Sequence, residues 1–228
     1  MKPIAPAPSL ADQAYQALVD EICGGSLPSG SHLVQDQLAK RLGVSRQPIQ
    51  QVMGRLKADG LVEDAPGRGM AVVALDPSLI TSRYQIRSAM DGLAAHLSAI
   101  RAGSSAKVKD QIAQRGQAIV KAGMNAVKVK SIKKMVAHDV EFHNFLYACS
   151  GNPLLAATCE PHWLHLRRVM SEVLQKAALP KDIWQQHADI LNAILDGDAR
   201  GSKSFAVKHV ELACEGLTSA LTNETSRS

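Results

Sequence analysis

A helical hydrophobic pattern runs through this 228-residue chain from Leu79 to Leu221. Apolar residues recur there at the spacing of amphipathic helices, and almost no stretch alternates as a β-strand does. Short clusters of Gly, Ser, Asn, Pro and Asp interrupt the pattern, so neighbouring helices should pack as antiparallel partners. The sequence therefore predicts an all-helical bundle, with helices over 79–102, 106–122, 127–149, 153–178, 181–196 and 200–221.

The preceding residues follow a different pattern. Helical periodicity over 9–24, 34–42 and 45–60 is followed by strand-like runs at 61–64 and 70–74 around a Gly-rich turn. The order helix, helix, tight turn, helix and two-stranded wing predicts a winged helix-turn-helix.

The dipeptide Asp76-Pro77 lies between the two patterns and is the predicted domain boundary. It gives an N-terminal winged helix-turn-helix domain over 1–76 and an all-helical domain over 77–228. The predicted fold class is mostly α, with a winged helix-turn-helix before a helical bundle.

Net charge does not decide the partner of this chain, although it amounts to +5. Residues 1–76 contain seven Lys and Arg against eight Asp and Glu, and the remainder contains 19 against 13. The aromatic content of 4% argues against a single-strand binder that stacks bases. A case for DNA binding therefore depends on where particular residues stand.

The N-terminus of the third predicted helix carries such residues. In a helix-turn-helix this segment reaches base edges in the major groove, where Arg can bind guanine and Gln can bind adenine. A helix N-terminus also suits a phosphate, as does Lys. An Arg at the tip of the wing could reach the minor groove. The candidate DNA-binding residues are Lys40, Ser45, Arg46, Gln47, Gln50 and Arg68. The alternative is a structural helical domain with a solvated polar face.

Residues 38–48 (LAKRLGVSRQP), 55–62 (RLKADGLV) and Gly67-Arg68-Gly69 resemble the winged helix of GntR-type transcription regulators. Members usually have Thr before the proline and Arg two residues after it, where this chain has Gln47 and Gln50. Asp36 stands where Arg or Glu is frequent. The resemblance implies a DNA-binding winged helix that binds double-stranded operator DNA, but it does not imply the family's usual operator sequence.

Asp139 and His143 are four residues apart in one predicted helix, so they share a face. His187 and His209 stand among apolar residues of two further helices. Three histidines and a carboxylate inside a bundle would form a site for zinc, nickel, iron or manganese. The alternative is that each histidine is a hydrogen-bonded core residue.

Residues 79–221 resemble the FCD effector domain of the FadR-like branch of the GntR family. The resemblance is carried by Asp139-x-x-x-His143, the run 150–153 (SGNP), His187 and His209. It implies a divalent metal ion, zinc or nickel being favoured, bound by Asp139, His143, His187 and His209.

The same resemblance implies an arginine that faces the effector cavity, at Arg87. Arg suits a carboxylate held through two hydrogen bonds. The resemblance thus implies a homodimer whose operator affinity is controlled by a small organic acid, and a salt bridge or a solvated side chain is the alternative for Arg87. A family Glu is replaced by Asp91-Gly92.

A metal-dependent hydrolase with a site of three His and one Asp is the competing function. The sequence offers no nucleophile motif, no phosphate-binding loop and no well-placed second carboxylate to act as a general base near the four residues, which favours a regulator over an enzyme. The four cysteines lack ligand spacing, and neither a signal peptide nor a membrane span is evident. A cytoplasmic protein without a membrane partner is expected.

Overall fold

The computed structural model describes residues 8–67, 69–175 and 182–225. The chain divides into two compact units between Leu75 and Asp76. Within the described ranges, no helix is long and apolar enough to span a bilayer.

The N-terminal unit combines three helices with a small antiparallel sheet. Leu18, Ile49 and Leu56 are fully buried in its core. The central strand of the sheet is the last one, which pairs with both others. The elements are α1 (Leu10–Cys23), β1 (His32–Leu33), α2 (Gln35–Leu42), α3 (Arg46–Ala58), β2 (Val62–Asp64) and β3 (Met70–Val72).

The turn between α2 and α3 has the predicted form. Gly43 adopts a left-handed conformation with φ of 67° and ends α2. The Val44 amide donates to the Ala39 carbonyl oxygen over 3.0 Å. Ser45 then occupies the N-cap position of α3, and its side chain makes no capping hydrogen bond. The predicted winged helix-turn-helix fold is thereby confirmed.

Strand β1 was not predicted. His32 pairs with Ala71 and Leu33 pairs with Met70 across the sheet, and Leu33 is buried. Two residues are too few to display alternation, so this strand depends on its pairing with β3 rather than on a local pattern.

The second unit is the predicted all-helical bundle. Its first helix packs against the last one most extensively and also against the third. The helices are α4 (Pro77–Ser104), α5 (Ala106–Lys128), α6 (Ile132–Ser150), α7 (Pro153–Leu174), α8 (Ile183–Leu195) and α9 (Ala199–Thr225).

Several predicted helix bounds differ from the observed ones, and contacts explain two of the differences. α4 begins at Pro77 rather than 79 because the Asp76 carboxylate accepts hydrogen bonds from the first amides. α5 continues through Gly123, where a Cβ atom would lie 2.1 Å from the Trp184 ring. Gly123 therefore permits close packing on α8 instead of ending α5, and α6 begins only at Ile132.

Candidate metal centre

One carboxylate and three imidazoles from three helices converge in the core of the bundle. α6 supplies Asp139 and His143 one turn apart, α8 supplies His187 and α9 supplies His209. Their potential ligand atoms all lie within 4.8 Å of one another. The structure thus brings together all four residues that the sequence indicated.

The facing atoms are three Nε2 nitrogens and Oδ1 of Asp139. Nε2 of His187 lies 3.1 Å from Nε2 of His209 and 3.4 Å from Nε2 of His143. Asp139 Oδ1 lies 3.4 Å from His187 Nε2 and 3.7 Å from His143 Nε2. Ligand atoms about 2.0–2.1 Å from a tetrahedral ion stand roughly 3.3–3.4 Å apart. The spacing therefore fits a single metal ion.

The alternative of ordinary core histidines explains this arrangement poorly. The three rings are at most 1% exposed. When Nδ1 of His143 and of His209 carries the proton, the N–H of His187 Nε2 is the donor that faces two imidazole nitrogens and the Asp139 oxygen, and one N–H does not satisfy three acceptors. A single cation could bind all four atoms.

Two of the three imidazoles are held in the neutral form that binds metals. Burial, together with the charge of His143, lowers the pKa of His209 to about 3. Burial and the charge of His209 lower the pKa of His187 as well. His143 differs: burial and Arg87 lower its pKa, but the carboxylates of Asp91 and Asp139 outweigh them and raise it.

Neighbouring side chains orient two of the rings. Nδ1 of His209 lies 2.9 Å from the amide oxygen of Gln186, to which it can donate, leaving Nε2 as the lone-pair nitrogen. Nδ1 of His143 lies 2.8 Å from Asp91 Oδ2 in a close charge pair that is not aligned as a hydrogen bond. Both contacts turn Nε2 toward the other ligand atoms.

Asp91 was noted in the sequence only as a departure from the family, and its place beside the cluster was not predicted. It is fully buried, and Tyr147 donates its hydroxyl to Asp91 Oδ1 over 2.5 Å. Arg87 Nε donates to Asp91 Oδ2 over 3.3 Å. Its four-residue spacing from Arg87 was the available signal. Since Asp91 is already paired with three groups, it positions His143 rather than serving as a free base.

Arg87 connects Asp91 with the ligand cluster. Its Nη2 donates to Asp139 Oδ2 over 3.3 Å, and its guanidinium lies 4.8 Å from the centre of the Trp163 ring. Burial raises the pKa of Asp139, but the charges of His143 and Arg87 outweigh it and lower that pKa. The salt-bridge alternative for Arg87 is therefore realised, although the side chain also lines a cavity.

That cavity has a volume of about 120 Å³ and adjoins the cluster. Polar groups at its wall come from Tyr84, Arg87, Asp139 and His209. The rest of the wall is almost wholly apolar and comprises Met135, Val136, Met170, Val173, Leu174, Ile183, Trp184, Ala213, Gly216 and Leu217.

The candidate DNA-binding residues lie on the surface of the N-terminal unit. Lys40, Ser45, Arg46, Gln47 and Gln50 are all exposed. Arg46 also forms a two-pronged ion pair with Asp36. Arg68 lies outside the described residues.

Comparison with protein-family models decides the family. The model of the bacterial regulatory proteins of the gntR family matches residues 10–72, and the FCD domain model matches residues 82–212. The chain belongs to the GntR family and carries an FCD domain. This GntR-family chain is therefore a DNA-binding transcription regulator rather than an enzyme, which removes the hydrolase alternative.

Similar proteins agree with that assignment. The repressor RspR of Escherichia coli K12 is 26% identical over 212 residues, covering 93% of this chain and 90% of that protein. An HTH-type regulator of Agrobacterium vitis is 31% identical over 138 residues, covering 60% of this chain and 79% of the relative. A putative GntR regulator from Rhodococcus sp. RHA1 shares the fold of this GntR-family chain with a TM-score of 0.76 at 17% identity, covering 91% and 96%.

The neutral, buried His209 predicts that the metal-free protein loses stability on acidification. The unfolded chain takes up a proton at His209 near pH 6.5, whereas the folded chain resists it down to about 3. Stability should fall by roughly 1.4 kcal/mol per pH unit for this residue, or about 2 kcal/mol between pH 6.5 and 5. The raised pKa of His143 also stabilises the folded state, but this stabilisation is fully present below pH 6.5. It therefore does not grow enough on acidification to offset the loss at His209.

Urea unfolding of chelator-treated protein at pH 6.5 and pH 5 measures the effect. His209→Gln should remove about 2 kcal/mol of the difference between the two pH values. His138→Gln, on the half-exposed side of α6, is the matched control. An unchanged difference in His209→Gln would contradict the assignment.

Proposed function

We propose that the helical unit binds one divalent metal ion and a small carboxylate, and that both control the operator affinity of a homodimeric regulator. The ion is bound by Asp139, His143, His187 and His209. The observation that carries the proposal is the convergence of three buried Nε2 atoms and a carboxylate oxygen beside a cavity.

The donor set indicates the class of metal. Imidazole nitrogens with one carboxylate oxygen suit zinc and nickel, and no softer ligand is present among the four residues. When bound, the ion supplies positive charge and a coordination position for an oxygen of the effector. Asp91 and Gln186 keep two of the imidazoles in the orientation that binding needs.

The effector is a carboxylate because of the charges at the cavity wall. Arg87 lines the cavity, is fully buried and keeps its positive charge, since the carboxylate of Asp139 outweighs burial and raises its pKa. Its contacts with Asp91 and Asp139 fix the guanidinium in place. Arg87 therefore adds fixed positive potential beside the effector in our proposal.

Regulation requires that the effector bind two arrangements of the protein with unequal affinity. α4 supplies Arg87 to the cavity, and its N-cap Asp76 is the first residue after the DNA-binding unit. A displacement of α4 on effector binding therefore reaches the link between the units directly along the helix.

Operator titrations test the proposal with a duplex that the protein selects from a random library. We expect a millimolar panel of mono-, hydroxy- and dicarboxylates to include one that changes the operator affinity of zinc-loaded protein about 5–150-fold. Chelator treatment should abolish the change. Elemental analysis should find one divalent ion per chain.

The double variant His143→Ala, His187→Ala should lose both the metal and the response, whereas His138→Ala, also on α6, should keep both. If the reconstituted wild-type protein holds no metal, or if no carboxylate alters its operator affinity, the proposal is wrong.

We propose that the DNA is contacted at bases and phosphates by Ser45, Arg46, Gln47 and Gln50. Lys40 contacts a phosphate. The Arg46–Asp36 pair is exposed, and such pairs contribute about 0–1 kcal/mol. Arg46 can therefore exchange Asp36 for a guanine edge at little cost. Arg68 is the proposed minor-groove contact of the wing.

Arg46→Ala and Lys40→Ala should differ in their effects on DNA binding. Arg46→Ala should lose about 1–3 kcal/mol on the selected duplex and relax base preference, because a base contact is lost. Lys40→Ala should weaken all sequences alike and reduce the salt dependence. Fluorescence anisotropy on selected and scrambled duplexes distinguishes them. Full operator affinity of Arg46→Ala would contradict its role.

The homodimer is proposed to form through α4. Leu79, Ile86, Leu93 and Ile100 are 40–50% exposed and stand seven residues apart, which we call the α4 stripe. A seven-residue apolar repeat is the pattern of a seam between two helices. A second copy presents the same stripe, so a two-fold interface between α4 helices buries both.

Leu93→Glu should shift the protein from dimer to monomer, because it places a charge within that interface. Sedimentation velocity at micromolar concentration measures the change. Leu154→Glu is the matched control, since Leu154 is 70% exposed on α7, away from the stripe. A dimeric Leu93→Glu protein would rule out the α4 stripe as the interface.

A further inference from the structure

The cavity beside the candidate metal centre indicates which kind of carboxylate the protein binds, which membership of the family does not. Three features of its wall bear on ligand chemistry: the net charge, the unpartnered polar atoms and the apolar surface. The inference drawn from them rests on the proposed function, because it assumes that the four residues hold a divalent ion.

The first feature is the charge balance. Asp91 and Asp139 carry two negative charges, Arg87 carries one positive charge, and a divalent ion would add two more. Histidines that ligate a metal are neutral. Arg168 and Glu172 of α7 form an ion pair of 4.0 Å with no net charge. The loaded site therefore has one net positive charge and balances a single carboxylate.

The second feature is Tyr84, which stands one helical turn before Arg87 on α4. Its side chain is 2% exposed and lines the cavity near Arg87, and within the described part of the chain no group forms a well-aligned hydrogen bond with its hydroxyl. A buried hydroxyl without a partner is costly, so a ligand oxygen at this position would be favoured. Burial raises the pKa of Tyr84, so the hydroxyl remains a donor.

The third feature is the remainder of the wall. Met135, Val136, Met170, Val173 and Leu217 offer no hydrogen-bonding side chain to the cavity. A hydroxyl or a second carboxylate against this wall would lose its hydration without replacement, which costs free energy. The part of the ligand that lies there is therefore hydrocarbon.

The volume indicates how much hydrocarbon the cavity covers. A cavity of about 150 Å³ holds one benzene molecule, or roughly 25 Å³ for each carbon. The present cavity of about 120 Å³ therefore holds about five non-hydrogen atoms. With the carboxylate partly at the metal, the ligand has about four to six carbons in all.

We propose that the effector is a monocarboxylic acid of four to six carbons with an unsubstituted apolar tail. Its carboxylate binds the metal and accepts a hydrogen bond from Tyr84, and its tail lies against Met135, Met170 and Val173. Polyhydroxy acids and dicarboxylates of equal size are excluded by the same wall.

Isothermal titration of zinc-loaded, full-length protein tests the ligand class with four matched probes. Isovalerate should bind. Succinate adds a charge, 2,3-dihydroxyisovalerate adds two hydroxyls to the same skeleton, and 3-methylbutan-1-ol lacks the carboxylate. Each of these three should bind at least about tenfold more weakly than isovalerate.

Two variants test the residues. Tyr84→Phe should weaken isovalerate binding about tenfold or more while zinc stoichiometry stays at one per chain, and Tyr15→Phe in the DNA-binding unit is the control. Met170→Ala enlarges the cavity and should shift the preference toward octanoate at the expense of isovalerate. This shift is a ratio within one variant, so it is independent of a change in stability.

The outcomes separate this inference from the proposed function. Tight binding of succinate or the dihydroxy acid to zinc-loaded protein, with weak binding of isovalerate, overturns the inference and leaves the proposed function intact. Absence of zinc binding, or of binding by every carboxylate, overturns both. Unchanged isovalerate affinity in Tyr84→Phe overturns the role of Tyr84.

Discussion

The burial of Arg87 between two carboxylates is the constraint on which the helical unit depends. A charge in a protein core is costly unless it is paired, and removal of one partner leaves the other uncompensated. Arg87 meets Asp91 on its own helix and Asp139 on α6. The pairing therefore links α4 to α6, the helix that carries Asp139 and His143.

The same network, together with aromatic packing, positions the histidines of the cluster. His143 contacts Asp91, and Phe142 and Trp184 pack on His187 at centroid distances of 4.3 Å and 4.6 Å. The aromatic rings exclude water and keep His187 neutral, which favours metal binding. Burial thus favours metal binding but lowers the stability of the folded protein in acid. The folded chain keeps imidazoles neutral that the unfolded chain would protonate.

The sequence predicted elements better than it predicted the contacts among them. The turn at Gly43 and the four-residue spacing of Asp139 and His143 are local features, so periodicity and resemblance were enough to find them. The contact of Asp91 with His143 was not predicted, because His143 lies in another helix. The predicted end of α5 was wrong for a related reason. Gly123 allows close packing on Trp184 and does not end the helix.

α4 brings these features together in one rigid element. Its inward face carries Tyr84, Arg87 and Asp91, its outward face carries the α4 stripe, and a four-residue segment, 73–76, connects its N-terminus to the last strand of the N-terminal unit. A helix transmits a displacement along its whole length because its backbone hydrogen bonds resist local bending. If the proposed effector moves the inward face, the outward face moves with it. In the proposed homodimer, α4 alone would then connect the cavity with the dimer interface.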